Sequence, residues 1–582
     1  MNRKQRRAAG KQSPPPLRAA VPAGDAVAQL FAEARQYERQ RQFDEAARAY
    51  GRLLALKPDH AEATNNLGVV LQAQGKLPEA SACFARSLTL MPQLFDQFAG
   101  PCAALTAVLP TIGEAMRRAA AAWPERLPVE RLLGSEGLGA IASDPLLSCI
   151  LQATPVRDVA LERLLTSLRF SLIEAALGGH ATPDDVLAFC CALAKQCFIN
   201  EYVFAVAPDE QANVERLASA LAAALSSGAP VAPIVPAVLA AYRPLHALPF
   251  AAALLERPWP AAVNNVLTQQ VREPAQEREL RATIPRLTPI EDSVSQSVRQ
   301  QYEENPYPRW VYAAAANETV TIDEHLRRQF PSVPFRTPGE DDNIDILVAG
   351  CGTGRHPIEV ARTYKNSRVL AVDLSLSSLS YAKRKTPPDV ASRIDYAQAD
   401  ILKLGAIGRT FDMIDVSGVL HHMADPLGAW RSLLTLLRPD GVMHLGLYSE
   451  IARRDVVAAR AFIAAGGYQA TVEDIRRCRQ DLLNSPVQGI AKAGDFFSTS
   501  ECRDLMFHVQ EQRLTIPQIK AFLAENGLRF IGFEFGPQAL RHYRAQFAQG
   551  GKAMTDLDAW HALEQQFPDT FSGMYQFWVQ PR

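Results

Sequence analysis

The residues best suited to chemistry lie in the second half of this 582-residue chain. The segment Asp345 to His356 reads DILVAGCGTGRH and sets Gly350, Gly352 and Gly354 between a predicted strand and a predicted helix. Ligands of open parallel sheets sit beyond the carboxyl ends of the strands. Glycine permits a tight turn there and lets a ligand approach the backbone closely. A pyrophosphate loop requires G-x-G-x-x-G, with the phosphates on the helix N-terminus. Here residue 355 is Arg and the spacing is G-x-G-x-G, which sets aside a nicotinamide-dependent oxidoreductase. Asp373 ends the apolar run RVLAVD, 21 residues after Gly352. A carboxylate at a strand tip accepts hydrogen bonds from both hydroxyls of a ribose. An Asp preceding Leu374 and Ser375 equally serves as a helix N-cap.

Three histidines supply groups that ionise near neutrality, as a general base requires. His421 and His422 are adjacent in FDMIDVSGVLHHMADP, and His508 follows in LMFHVQ. Tyr448 is a further candidate. The competing reading makes His421 and His422 caps or pocket walls, and His508 a packed residue between Phe507 and Val509. Nine cysteines, odd in number and without a CxxC pair, read as buried thiols of a reducing compartment. No metal site is expected.

Positioning these groups requires a sheet. From about residue 343, short β-rich runs alternate with helical patterns, which argues for a parallel α/β sheet. Candidate strands are 345–349, 368–372, 395–398, 413–417, 442–448, 529–535 and 575–579. A helical insertion near 450–510 interrupts the alternation. Thr515 with Gln518 forms a capping-box pattern, and Gly527 closes the helix that follows.

Asp400 in YAQADI, the run Ser417 to His422 followed by Asp425-Pro426, and the turn in LLRPDGVMHLGLYSE complete a set in fixed order with the glycine loop and Asp373. That order resembles class I S-adenosylmethionine-dependent methyltransferases, over residues 295–535 and onward to the C-terminus. The resemblance implies a Rossmann-like domain with a mostly parallel seven-stranded sheet, and S-adenosylmethionine as cofactor. It implies cofactor contacts at Gly350, Cys351, Gly352, Gly354, Asp373, Leu374, Asp400, Ile401, Ser417 and Gly418. Asp400 would lie near the adenine amino group with Ile401 on the ring, and residues 417–422 would face the methyl group. QYEENPYPRW (Gln301 to Trp310) and DFFSTSECRDLMFHVQEQRLT (Asp495 to Thr515) resemble segments of bacterial proteins that join tetratricopeptide repeats to this fold. Tyr302, Tyr307 and Trp310 form either a flap over the ligands or a strap on the sheet edge. Arg503 and Asp504 either bind polar substrate groups or pair at the surface.

The repeats are visible in the first half. Ala34, Tyr37, Ala46, Tyr50 and Pro58 recur as Gly68, Leu71, Ala80, Phe84 and Pro92, each offset by 34, the tetratricopeptide period. The expected organisation is a disordered basic tail over 1–25, repeats over 26–94, an α-helical region over 95–290 and the methyltransferase domain over 291–582. Prolines and charges from Arg272 to Pro289 read as a linker. A formal net charge of −1 gives no field for nucleic acid or an anionic membrane, and apolar stretches are too short for a span. The expected protein is cytoplasmic and methylates a small molecule. Its alternatives are a protein or peptide methyltransferase recruiting through the repeats, which also suit self-association, and a non-catalytic scaffold with the same fold.

Overall fold

Four helices realise the two repeat units: α1 (Ala23–Arg39), α2 (Phe43–Leu56), α3 (Ala61–Ala73) and α4 (Leu77–Leu90). Ala34, Ala46, Tyr50 and Ala80 are fully buried. A Cβ on Gly68 would stand 2.8 Å from the Phe84 ring, so the small residue of one helix seats the large residue of the next. The computed structural model describes residues 23–91, 101–179, 181–313, 318–339, 344–547 and 554–582. The expected basic tail, apart from its last residues, and Pro92 of the repeat lie outside them. The chain divides into two compact units, Met1–Leu109 and Pro110–Arg582.

The second unit holds both a helical region and the sheet. Helix α5 (Val159–Gly178) starts where Asp158 accepts from Leu161 N and ends at Gly179 in the left-handed conformation. Helix α6 (Asp184–Ile199) buries Phe189, Leu193, Cys197 and Phe198. After α6 the backbone turns through Glu201 and Tyr202, both at positive φ (55° and 60°), an uncommon conformation for residues with a Cβ.

The segment read as a linker is ordered. A helix spans Glu273–Arg281. Beyond it Leu287 N donates to Gln398 O and Gln398 N to Pro285 O, at 2.9 and 2.8 Å. Residues 285–287 therefore cover the open edge of the sheet, a place where a proline without an N–H is tolerated. Helix α7 (Ser293–Glu304) follows, capped by Asp292.

The sheet has seven strands in the order β3-β2-β1-β4-β5-β7-β6: β1 Ile344–Ala349, β2 Ser367–Asp373, β3 Ile394–Gln398, β4 Phe411–Ser417, β5 Leu437–Leu447, β6 Leu528–Glu534 and β7 Tyr575–Pro581. β7 runs antiparallel to both β5 and β6, and the other pairs are parallel. β1 is buried throughout and β4 as far as Val416, as two-sided coverage demands of central parallel strands. Helices α8 (Arg355–Thr363) and α9 (Leu376–Lys385) pack by one face, and α10 (Pro426–Leu434) by the other. The strand order reverses between β1 and β4, which places a crevice above their carboxyl ends. The expected capping box is present, with Thr515 and Gln518 bonded reciprocally.

The insertion is helical and joins the helical region. Its helix Val472–Leu483 carries Arg479, which forms a bidentate pair with Glu162 of α5 at 3.0 and 2.8 Å, both side chains buried. Helix α11 (Thr499–Met506) receives the Glu201 turn at its N-terminus. Thr499 Oγ1 donates to Glu201 O at 2.8 Å, and Ser500 N to the Glu201 carboxylate at 2.6 Å. A carboxylate at a helix N-terminus satisfies an orphan N–H and complements the dipole. Among the described residues no helix is long and apolar enough to cross a membrane.

Candidate active site

One cavity of about 830 Å³ opens above the β1–β4 crevice. Gly350, Cys351, Gly352, Asp373, Leu374, Ile401, Ser417 and Gly418 all line it. Its size falls within the range of about 300–1,000 Å³ typical of small-molecule sites.

The loop after β1 is locked to its neighbour, since Gly350 N and Cys351 N both donate to Val372 O, at 2.8 and 2.9 Å. Its glycines are required by protein atoms. A Cβ on Gly350 would meet Val419 at 2.4 Å, one on Gly352 the carbonyl of Tyr307 at 2.7 Å, and one on Gly354 Ala382 at 2.4 Å. Asp373 Oδ2 accepts from Gly352 N at 2.8 Å and Oδ1 from Ser375 N at 2.9 Å. Each carboxylate oxygen keeps a lone pair for a ligand hydroxyl. Burial pushes this carboxyl up to about 6, with the two backbone N–H groups working against the rise. Asp400 is fully buried and does not line the cavity, although Ala399, Ile401 and Leu402 do. Its Oδ1 accepts from Leu402 N at 3.0 Å, while Oδ2 has no partner. Gly354 likewise lies off the cavity wall.

The segment after α7 is a strap across the glycine loop. Glu303 caps α9, accepting from Leu376 N at 2.7 Å and from the Ser377 hydroxyl at 2.6 Å. Trp310 Nε1 donates to Thr353 O at 3.1 Å, and the Thr353 hydroxyl donates to Pro308 O. Tyr302 and Tyr307 line the cavity, and Trp310 is packed edge-on against Tyr381 at 6.0 Å. Val294, Ser295 and Val298 of α7 extend the wall.

The opposite wall comes from β5, from the turn after β4 and from α11. His422, Tyr448 and Asp504 face the cavity. The Tyr302 hydroxyl donates to Asp504 Oδ1 at 2.6 Å. Gln510 N donates to His508 Nδ1 at 3.0 Å, so His508 carries its proton on Nε2 and donates it to the Tyr302 oxygen, 3.2 Å away. His422 Nδ1 lies 2.9 Å from the carbonyl of Gln510 and must be the protonated nitrogen. That leaves His422 Nε2 as an acceptor on the cavity wall. Burial pushes His422 down to about 4 and His508 to about 2, so both are neutral near pH 7. Burial raises Asp504 to about 6, with Tyr302 and Arg453 opposing it. The donor atoms of His422, Asp504 and His508 converge within 4.8 Å. The two imidazoles stack at 3.7 Å and 20°, so their in-plane lone pairs run side by side instead of meeting at one ion.

The structure separates the paired histidines. His421 is fully buried, stacks on Tyr448 at 3.6 Å and lies outside the cavity lining. His508 acts one residue removed from the cavity, through Tyr302. Arg503 turns away to Asn305 and Glu304, at 2.6 and 2.7 Å. Sequence reasoning missed Met574 and Gln576, which reach the cavity from the start of β7, and the second carboxylate network. There Asp415 Oδ2 lies 2.9 Å from both His356 Nε2 and His444 Nδ1. Burial opposes charge on His356, but the Asp415 carboxylate overrides it and raises the imidazole to about 9. His356 follows the glycine loop directly, and Asp415 is an acid in a central buried strand, a signal the sequence carried.

Residues 347–445 match the methyltransferase domain family, and residues 31–94 match the tetratricopeptide repeat. The chain is 27% identical over 256 residues to an uncharacterised Synechococcus protein, covering 42% of this chain and 60% of that one. It is 34% identical over 102 residues to the ubiquinone biosynthesis O-methyltransferase of Methylocella silvestris, 18% of this chain and 39% of the relative. It is 24% identical over 136 residues to the magnesium-protoporphyrin O-methyltransferase of Rhodobacter capsulatus, 22% and 59%. The matches thus span less than two thirds of each relative. Among solved structures, PKMT2 of Rickettsia typhi in complex with AdoHcy aligns with a TM-score of 0.36 at 16% identity, over 46% of this chain and 55% of that one. Magnesium protoporphyrin IX methyltransferase of Synechocystis with bound SAH aligns at 0.24 and 14%, over 43% and 83%. The methyltransferase domain indicates S-adenosylmethionine as the cofactor. The residues present fit it, with lone pairs free on Asp373, an unpartnered buried oxygen on Asp400 and a cavity of sufficient volume.

Proposed function

Because the chain carries a methyltransferase domain behind tetratricopeptide repeats, we propose that it transfers a methyl group from S-adenosylmethionine to a small-molecule acceptor inside the single cavity above β1 and β4. The observation that carries this reading is the shared enclosure. The glycine loop and Asp373 form one end, and Tyr302, Tyr307, His422, Tyr448 and Asp504 form the other. When bound, the cofactor supplies a methyl carbon on a sulfonium, open to in-line displacement. Asp373 and the backbone of Gly350 to Gly352 hold the ribose and amino-acid portions, and Ile401 packs on the adenine. Asp400 would approach the adenine amino group only from behind the cavity wall, where its Oδ2 is buried without a partner. The strap excludes water and aligns the acceptor, which is where most of the rate advantage of such a reaction arises. His422 Nε2 and Asp504 take the acceptor's proton.

Calorimetric titration of the full-length protein with S-adenosylhomocysteine, with nicotinamide dinucleotide as control, tests the reading. Saturable binding of the first alone supports it. No binding of either by folded protein turns the chain into a scaffold.

A second reading has the repeats recruit a protein acceptor. The observation in its favour is that Met1–Leu109 forms a compact unit of its own, and repeat helices present binding faces. Deleting residues 1–100 would then abolish turnover on the partner while leaving S-adenosylhomocysteine affinity intact. A small-molecule enzyme keeps both.

A further inference from the structure

Resting on the methyl-transfer reading above, we infer that the acceptor is an aliphatic amine, which enters the cavity as its ammonium ion and is held by Asp504 among Tyr302, Tyr307 and Tyr448.

The charge of the walls argues first. Five carboxylates line the cavity (Asp292, Glu359, Asp373, Asp425 and Asp504) against two cations, Arg355, which Glu359 binds at 3.0 Å, and His356, which Asp415 binds at 2.9 Å. The net charge of the lining is negative, which disfavours a carboxylate acceptor and draws in a cation.

Asp504 itself feels Arg453 at a distance but is not paired with it. Its carboxylate accepts a hydrogen bond from the Tyr302 hydroxyl and has no ion pair among the described residues. The neighbouring cations are engaged elsewhere. Arg453 binds Glu511 at 2.6 Å and lies over the far-side ring of Tyr448 at 3.7 Å. Arg503 binds Glu304. Two further carboxylates stand close behind, since Asp495 and Glu501 both act on Tyr307. Glu501 Oε2 is buried without a hydrogen-bond partner, and burial together with Asp495 pushes that group up to about 8. Arg157 pairs with Glu501 at 3.8 Å, which leaves Asp504 as the cavity-lining carboxylate of this group without an ion pair among the described residues.

The phenols complete the match. Three phenols stand around the carboxylate, but His421 and Arg453 cover the two faces of Tyr448, so Tyr302 and Tyr307 are the rings that attract an ammonium. The local bases argue the same way. His422 near 4 and Asp504 near 6 are too weak to ionise an aliphatic alcohol. An amine needs only to lose its ammonium proton before it attacks. That proton passes to the Asp504 carboxylate. The freed nitrogen lone pair then forms the N–C bond as the C–S bond breaks, its electrons remaining on sulfur as a neutral thioether. The product leaves as an N-methylammonium ion, and the Asp504 proton returns to solvent.

The test uses full-length protein saturated with S-adenosylhomocysteine, titrated calorimetrically with n-butylammonium, 1-butanol and butyrate. The expected result is saturable n-butylammonium binding, at least tenfold tighter than 1-butanol, with no butyrate binding. Asp504→Asn should lower n-butylammonium affinity at least tenfold and leave S-adenosylhomocysteine affinity unchanged, which also reports that the variant is folded. Tyr307→Leu should lower it at least threefold. A lysine-containing peptide that binds more tightly than n-butylammonium would place the amine on a protein, and equal or weaker binding would place it on a small molecule. Butanol or butyrate binding as tightly as n-butylammonium would overturn the inference. So would undiminished n-butylammonium binding in Asp504→Asn, or no saturable n-butylammonium binding at all. Failure of S-adenosylhomocysteine to bind the unaltered protein would overturn the cofactor reading instead.

Discussion

Tyr302 and Asp504 stand 202 positions apart in the chain, and the Tyr302 hydroxyl donates to Asp504 Oδ1 at 2.6 Å. One residue belongs to the helix that precedes the sheet, the other to the insertion after β5. Their hydrogen bond closes one wall of the cavity from two segments that share no secondary structure. The loss of either partner leaves a buried polar group exposed to the full cost of desolvation, about 1–3 kcal/mol.

Asp504→Asn should stabilise the protein at alkaline pH. Burial raises the Asp504 carboxyl from 3.8 to about 6, so the folded state prefers it protonated. The resulting penalty is absent below about pH 4 and grows as the pH rises through 6. A rise of about two pKa units corresponds to about 3 kcal/mol at most. Thermal unfolding of both proteins should show a gain of about 1–3 kcal/mol for the variant at pH 8 and none at pH 4. An equal gain at both values would exclude the carboxyl as its source.

The pair of His356 and Asp415 should weaken with alkali. The folded imidazole is raised to about 9, so its stabilising effect is fully present below its ordinary value near 6.5 and is lost as the pH rises through 9. The melting temperature of the unaltered protein should decline between pH 7 and 10 more steeply than that of Asp415→Asn. Parallel profiles would contradict the assignment. His356 is half-exposed, so the difference should be modest.

Breaking the buried ion pair of Glu162 and Arg479 should cost about 3–5 kcal/mol, because one charge is left without its counterpart. Urea unfolding of Glu162→Gln and of Arg479→Met should each show that loss. The double variant Glu162→Gln, Arg479→Met should cost less than the sum of the two. Additive losses would mean that the two charges do not depend on each other.

Gly352→Ala should weaken S-adenosylhomocysteine binding at least tenfold. The residue has φ of +52°, and its Cβ would stand 2.7 Å from the carbonyl of Tyr307, so the strap must move. Gly408→Ala is the control, with φ of +66° and open space around the Cβ. It should cost about 1 kcal/mol of stability from backbone strain alone and leave ligand affinity unchanged. Equal effects of the two on binding would remove the contact between strap and loop as the cause.

The sequence announced the sheet and the glycine loop because their signals are local. An apolar run followed by G-x-G-x-G fixes strand, turn and helix within a dozen residues, and Asp373 ends its strand as read. The partners of the glycines were hidden, since Val419, Tyr307 and Ala382 come from three other segments. The separation of His421 from His422 depends on which side of one short 3-10 turn meets Tyr448, and adjacency in sequence carries no such information. Residues 285–287 read as a linker because prolines and charges mark loops, and only the partner strand reveals that they cover an edge. Glu162 and Arg479, 317 positions apart, left no trace in spacing or composition.

The turn at Glu201 and Tyr202 seats on the first residues of α11, and Asp504 lies on that same helix. The acceptor wall is thus propped from outside the α/β layer by residues that never meet a substrate. Natural variation among such enzymes could therefore retune what they accept through a helix far upstream, with every cofactor-facing residue left as it was. A substitution at Glu201 would be felt at Asp504 although Glu201 lies outside the cavity lining.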